Sequence, residues 1–380
     1  MNPVYLPLST AADKPLFTPG PLTTSRTVKQ SMLRDLGSRD AEFLEVVSEV
    51  RSSLLALGGV STATGHEAVL MQGSGTFGIE AVISSAIPRD GRLLVVVNGA
   101  YGERIAQMAR VHGIDTHEVR FAEDEAADPD TVARELGRLG GVTHVAVVHC
   151  ETTTGLFNPI EEIARRCRER QSRVIVDSMS AFGAVEVDLA ASGFDFVISS
   201  SNKCIEGVPG FSFVLARREA LLECEGRSRT LSLDLCAQWK GLERDGQFRF
   251  TPPTHAILAF AQALRELHDE GGVAGRRRRY EANRDVLVAG LLSQGFSLYL
   301  PREQAGHVIT TWLSPRDPRF SFRAFYDALQ ERGLVIYPGK LTQRDCFRIG
   351  CIGRLQPRDM QQLVAAIAEV VAEQGFDPAA

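Results

Sequence analysis

The chain has 380 residues, 44% of them hydrophobic, with a net charge of -5 and a pI near 6.0. That length buries a core large enough for two domains, and the acidic balance, with no basic patch interleaved with aromatics, argues against nucleic acid as the main partner. No run approaches the ~20 apolar residues of a membrane span, and neither HExxH nor paired CxxC spacing marks a metal site, so the expectation is a cytoplasmic enzyme with seven reduced, buried cysteines.

Alternating short apolar strands and amphipathic helices then follow in chain order. QGSGT at 72–76 precedes a helix over 77–87, which puts Ser74, Gly75 and Thr76 at a helix N-terminus, where backbone N–H groups and the dipole favour a phosphate. The spacing fits neither GxGxxG nor the Walker pattern, which disfavours a nucleotide. Strands are predicted at 93–97, 142–150, 173–177 and 195–200, with helices at 102–112, 129–139 and 159–171. Strands separated by helices of this length predict a parallel sheet with crossover connections. The strand at 210–217 follows after only CIEGVPG, too short for a crossover, and is predicted to run antiparallel to its predecessor.

A helix over 255–268 leads to Gly271 and Gly272, where a smaller α+β unit is expected to begin. It reads as a helix at 280–294, strands at 296–300 and 307–313, a helix at 321–332, a strand at 346–349 and a closing helix at 357–374. The basic run Arg276 to Arg279 reads as an exposed stretch of the first helix. Domains are therefore expected at 1–272 and 273–380.

Polar residues gather at the predicted strand ends: Asn98, Thr152, Asp177, Ser200 and Lys203. In open α/β sheets one cleft collects such positions. Lys203 stands out because the chain writes its positive charge almost entirely as arginine and spells only five residues as lysine. A desolvated lysine can lose its proton and attack a carbonyl, which arginine cannot. Asp177 precedes Lys203 by one crossover, and a carboxylate there stays ionised only beside a cation, such as a protonated pyridine nitrogen. Phosphate, ring nitrogen and imine together describe pyridoxal 5'-phosphate.

The motifs TPGPLTTS (18–25), QGSGTFGIEA (72–81), NGAYGER (98–104), ETTTGLFNPI (151–160), VDSMSAFG (176–183), SSNKCIEGVPGF (200–211) and FRIGCIG (347–353) resemble those of the class V pyridoxal-phosphate aminotransferases. The resemblance implies an α/β fold: a large domain with a mostly parallel seven-stranded sheet, one strand antiparallel, plus a smaller C-terminal α+β domain. It implies that Lys203 bonds the cofactor and moves the substrate proton, while Asp177 pairs with the ring nitrogen. By the same resemblance Tyr101 stacks on the ring, Ser74, Gly75 and Thr76 hold the phosphate, Thr152 bonds the ring oxygen, and Asn202 also contacts the cofactor. Thr254 would reach the phosphate across a homodimer interface, and Thr251 stands where relatives often carry Tyr. Arg348 would bind the anionic end of the substrate.

LSLDL (231–235), FRFTPPTH (248–255) and YPGK (337–340) narrow the resemblance to the branch that moves an amino group from 2-aminoethylphosphonate to pyruvate. An enzyme that uses serine or alanine with glyoxylate would share every cofactor residue and stays open, as does a silent phosphate-binding scaffold. A cysteine desulfurase fits less well, since Asn precedes Lys203 where that group has His, and 332–344 holds no Cys.

Overall fold

The computed structural model describes residues 13–341 and 344–380. Its strands are β1 (His66–Gln72), β2 (Arg92–Val97), β3 (Asp115–Arg120), β4 (His144–Val148), β5 (Cys150–Glu151), β6 (Leu156–Phe157), β7 (Arg173–Asp177), β8 (Phe196–Ser200), β9 (Phe211–Arg217), β10 (Ile309–Leu313), β11 (Tyr337–Pro338) and β12 (Cys346–Gly350). Seven of them form the large sheet in the order β1-β9-β8-β7-β4-β2-β3, while β5 and β6 form a separate two-residue ladder. Every pairing in the large sheet is parallel except those of β9, which runs antiparallel to β8 and to β1. The reversed strand is the one expected from the short link after Lys203.

β4 (HVAVV) is buried at every position, as a strand covered by helices on both faces must be. The covering helices show the matching stripe: Ile160–Arg168 buries Ile160, Ile163, Ala164 and Cys167 at helical spacing and turns its arginines outward. Helix Pro129–Leu139 starts where Asp128 accepts from the N–H groups of Asp130 and Thr131, with Pro129 in the first turn, where no N–H is needed. Because β1 is reversed relative to β9, it points the same way as the parallel strands, and its end at Gln72 lies opposite Phe211. Ser200 at the end of β8 lies opposite Ser212. The QGSGT turn and Lys203 therefore leave the sheet at one edge.

The small sheet, β10-β12-β11, is antiparallel throughout. Trp312, Phe347, Phe325, Phe296 and Phe376 form its core with helices Phe322–Glu331 and Pro357–Gln374, and Phe296 meets Phe347 edge to face at 5.8 Å. Residues 296–300 do not form the expected strand: a single bridge joins Leu298 to Trp312. Gly295 at φ +94° turns the chain into this segment and Pro301, which has no N–H to offer a ladder, follows it. The preceding helix begins at Gly272, earlier than its apolar residues suggested. Phe17 packs into the small core, with its N–H on the Val335 carbonyl and its carbonyl accepting from Gly350 N–H, so the N-terminal segment is laced to β12. Six of the seven cysteines are buried and Cys346 is partly so. Among the described residues no helix is long and apolar enough to cross a membrane.

Candidate active site

The carboxyl ends of β1, β2, β4, β7 and β8 open onto one cavity of about 200 Å3. Ser74, Gly75, Thr76, Tyr101, Thr152, Asp177, Ser200, Asn202 and Lys203, all flagged in the sequence, line it. Ser74 is the N-cap of helix Gly75–Ala86, yet its side chain makes no capping hydrogen bond. The helix start is thus left able to receive an anion. Lys203 is held by a tight loop, in which Glu206 N–H donates to the Lys203 carbonyl (2.8 Å) and Gly207 N–H to that of Ser201 (2.9 Å). Its Nζ donates to the Pro19 carbonyl of the N-terminal segment at 2.7 Å. Gly20 is needed beside it, since its φ is +116° and a Cβ there would sit 2.9 Å from Nζ.

Burial governs the charges. It lowers the Lys203 amine to about 8, with the nearby thiol of Cys204 and the Asp177 carboxylate opposing the shift. It raises Asp177 to about 6, against a backbone hydrogen bond from Met179 N–H at 3.0 Å and the charges of Lys203 and Arg104. Asp177 is therefore a fixed carboxylate whose ionisation calls for one more cation. Glu151 is fully buried and pushed up to about 7 by desolvation, although Thr153 Oγ1 donates to it at 2.9 Å and Tyr101 N–H at 3.2 Å. Glu151 fixes the start of the helix that carries Tyr101. It was missed in the sequence, where it reads only as the first letter of ETTTG.

Arg348 lies in β12 and is 3% exposed, so it is no surface arginine. Its Nη1 donates to the Thr152 carbonyl at 2.8 Å and its Nε to the Pro338 carbonyl at 2.9 Å. These bonds tie the small sheet to the cavity wall, and the guanidinium also meets the Tyr101 hydroxyl. The Tyr101 ring is flanked by Arg104 at 5.0 Å and by Lys340 at 4.7 Å, both inside quoted motifs but given no role by the sequence.

Two expectations change, those for Asn98 and for the run at 276–279. Asn98 does not line the cavity: its amide donates to Asn158 Oδ1 at 2.8 Å and to the Glu125 carbonyl at 3.0 Å, which binds the loops after β2 and β4 together. Thr254, expected to act on the site of a second copy, opens helix Thr254–Asp269 and does not line the cavity of its own chain. Thr251 lines an apolar groove with Gln72, Phe77 and Phe250. Within the run at 276–279, Arg277 and Arg278 are exposed as expected, but the Arg276 side chain is 0% and that of Arg279 8% exposed.

Those two arginines form a buried knot with two carboxylates. Arg276 Nε donates to Glu270 at 2.7 Å and its Nη1 to the carbonyl of Cys204, the residue after Lys203. Arg279 bonds Glu270 at 2.6 Å and Glu206 at 2.8 Å, and Tyr280 OH donates to Glu206 at 2.6 Å. Glu206 itself sits at φ +66°, a left-handed conformation that costs a non-glycine residue on the order of 1 kcal/mol or more. The knot over-determines it and so holds the loop that presents Lys203. Helical periodicity registers only that 276–279 is polar; its partners lie elsewhere in the chain.

The set can thus seat an anion at a helix start, a cationic ring atom at Asp177, a carbonyl at Lys203 and a second anion at Arg348. The aminotransferase class-V family model matches residues 23–342. A protein of Syntrophobacter fumaroxidans named 2-aminoethylphosphonate–pyruvate transaminase is 50% identical over 94% of this chain and 96% of its own. One of the same name from Aeromonas hydrophila is 47% identical over 98% of this chain and 99% of its own. Among solved structures, the alanine–glyoxylate aminotransferase of Nostoc sp. superposes with a TM-score of 0.87 at 26% identity, covering 96% of this chain and 97% of that one. The chain belongs to the class-V aminotransferase family.

Proposed function

We propose that this protein is a pyridoxal 5'-phosphate-dependent aminotransferase that moves the amino group of 2-aminoethylphosphonate to pyruvate, releasing phosphonoacetaldehyde and alanine. The observation that carries the reading is one cavity holding both an amine of lowered pKa, Lys203, and a buried carboxylate with no ion pair in contact among the described residues, Asp177, beside the buried arginine Arg348. The names borne by relatives at about half identity support the choice of substrates.

The residues fit the cofactor. The uncapped start of helix Gly75–Ala86, with Ser74, Gly75 and Thr76, would hold its phosphate, and Asp177 its ring nitrogen. Tyr101, Thr152 and Asn202 would surround the ring. When bound, the cofactor supplies a carbonyl carbon that takes up the amino group and a ring that draws electrons from the substrate carbon. Lys203, near 8, is neutral in a useful fraction at neutral pH and serves as the base that takes the proton from the substrate carbon and returns it. Met179 N–H fixes the Asp177 carboxylate in place. Arg348 grips the phosphonate of the donor and then the carboxylate of pyruvate with the donors it can turn to a ligand.

A homodimer belongs to the same reading. Thr254 stands outside the cavity of its own chain, where a contact to the phosphate of a second copy's site would place it. So does the division at 272 and 273, which separates the cofactor-binding sheet from the strand that carries Arg348, and so does a cytoplasmic setting. The test is a donor screen against pyruvate: 2-aminoethylphosphonate should show a higher kcat/KM than serine or alanine. The opposite order would favour the serine or alanine and glyoxylate reading, and no turnover with any donor a silent scaffold.

A further inference from the structure

The arginines of this chain are commonly spent on carboxylates, as Arg92 is on Asp115 and Arg265 on Glu49. At the mouth of the site the pattern breaks. Arg104 and Lys340 lie over the Tyr101 ring, and Arg348 lies 5.0 Å over Tyr337; among the described residues none of the three has a carboxylate in ion-pair contact. The acid acting on Lys340 is Glu151, which is buried and already bonded to Thr153 and to Tyr101 N–H. Like charges held together without a counter-ion are costly unless a ligand supplies one.

The local chain explains how Lys340 gets there. Tyr337 pairs with Arg348 and Pro338 with Phe347 along β11 and β12. Gly339 then packs so closely on β12 that a Cβ would sit 2.1 Å from the Cys346 carbonyl oxygen. Drawn in by that contact, the chain brings Lys340 back over Tyr101, with its Nζ 4.7 Å from the ring centre. Burial lowers its pKa, helped by Arg104 and Arg348, so its charge is held against its surroundings.

Resting on the function proposed above, we propose that Lys340 is the residue by which the site tells a phosphonate from a carboxylate. Arg348 has an Nε–H and an Nη1–H committed to the carbonyls of Pro338 and Thr152 and also meets the Tyr101 hydroxyl, so the few donors it can turn to a ligand suit at most the two oxygens of a carboxylate. A phosphonate, like a phosphate monoester, brings about two negative charges and three acceptor oxygens near neutral pH. Its additional oxygen and charge go to the Lys340 ammonium, with Arg104 adding to the positive field. Pyruvate, bound at the same place in the second half of the cycle, leaves Lys340 without an anionic partner. Lys340 therefore contributes to the donor half-reaction and little to the acceptor half-reaction.

The test uses the cofactor-loaded enzyme and Lys340→Met, which keeps the apolar stem and removes the charge. In single-turnover measurements the rate constant over Kd for 2-aminoethylphosphonate should fall by about ten- to a hundredfold, the scale of a lost charge-assisted hydrogen bond, and that for pyruvate by less than about threefold. The preference for 2-aminoethylphosphonate over its carboxylate counterpart 3-aminopropanoate should shrink by the same factor. In calorimetry the Kd of methylphosphonate should rise about tenfold while that of acetate holds. Lys340→Arg should recover part of each loss. Equal losses in both half-reactions would mean that Lys340 only steadies Tyr101, and no loss that it faces solvent; either result overturns the proposal. A wild-type enzyme that does not consume 2-aminoethylphosphonate would overturn the underlying function instead.

Discussion

Replacing Asp177 by Asn should stabilise the cofactor-free protein and weaken its hold on the cofactor. The carboxyl is 5% exposed and is raised to about 6 in the folded chain, chiefly by burial, from an ordinary value of 3.8. The folded state therefore binds the proton more tightly than the unfolded state, and stability falls as pH rises from about 4 through about 6. The rise from 3.8 to about 6 corresponds to roughly 3 kcal/mol once the group is fully ionised above pH 7. Asn keeps an oxygen for Met179 N–H and carries no charge, so urea unfolding of cofactor-free Asp177→Asn should show a gain over wild type that grows across that window and levels off near roughly 3 kcal/mol. With pyridoxal 5'-phosphate added the order should reverse, because the variant loses a charged hydrogen bond to the ring nitrogen of about 1.5 to 3 kcal/mol, or about ten- to a hundredfold in Kd. An Asn variant no more stable than wild type at pH 8, or one that binds the cofactor unchanged, would show that Asp177 serves only to hold the turn at Met179.

Other outcomes follow from the same geometry. Arg276→Met removes a fully buried guanidinium and leaves the Cys204 carbonyl with only the long 3.4 Å bond from Tyr280 OH and Glu270 with Arg279 alone; thermal or urea unfolding should register a loss of about 3 to 5 kcal/mol, whereas a change below about 1 kcal/mol would mean that the residue is solvated after all. Arg348→Lys should keep the bound-cofactor spectrum and lose much of the rate with both 2-aminoethylphosphonate and pyruvate, because an ammonium cannot reproduce the bidentate fork; unchanged kinetics would remove Arg348 from substrate binding. Mixing inactive Lys203→Ala with inactive Thr254→Ala chains should restore some activity through hybrid dimers, and a fully active monomer at high dilution would contradict the shared site.

Much of this was legible in the chain because it was written locally. β7 ends at Asp177 as its apolar run does, and the short link after Lys203 dictates the reversed β9. Scarcity of lysine singled out Lys203, and the QGSGT turn marked the helix start before any neighbour was known. What was not legible depends on partners distant in sequence. Arg276 and Arg279 read as a solvated face because Glu206 lies some seventy residues earlier, in the lysine loop. Asn98 stood at the expected strand end, but its amide is consumed by Asn158. β1 has no helical crossover leading into it and pairs only with β9, so alternation of strands and helices gave it no place. Lys340 gains its meaning from Tyr101 and Arg348, which only the packing of β11 against β12 brings beside it.

The most direct test of the central claim is to load the protein with pyridoxal 5'-phosphate, reduce it with borohydride and map the modified peptide. A single label on Lys203, lost in Lys203→Ala without loss of fold, is the predicted result. A label on Lys340, the other lysine near the cavity, or no reducible link at all, would contradict the assignment of Lys203 as the amine on which the site is built.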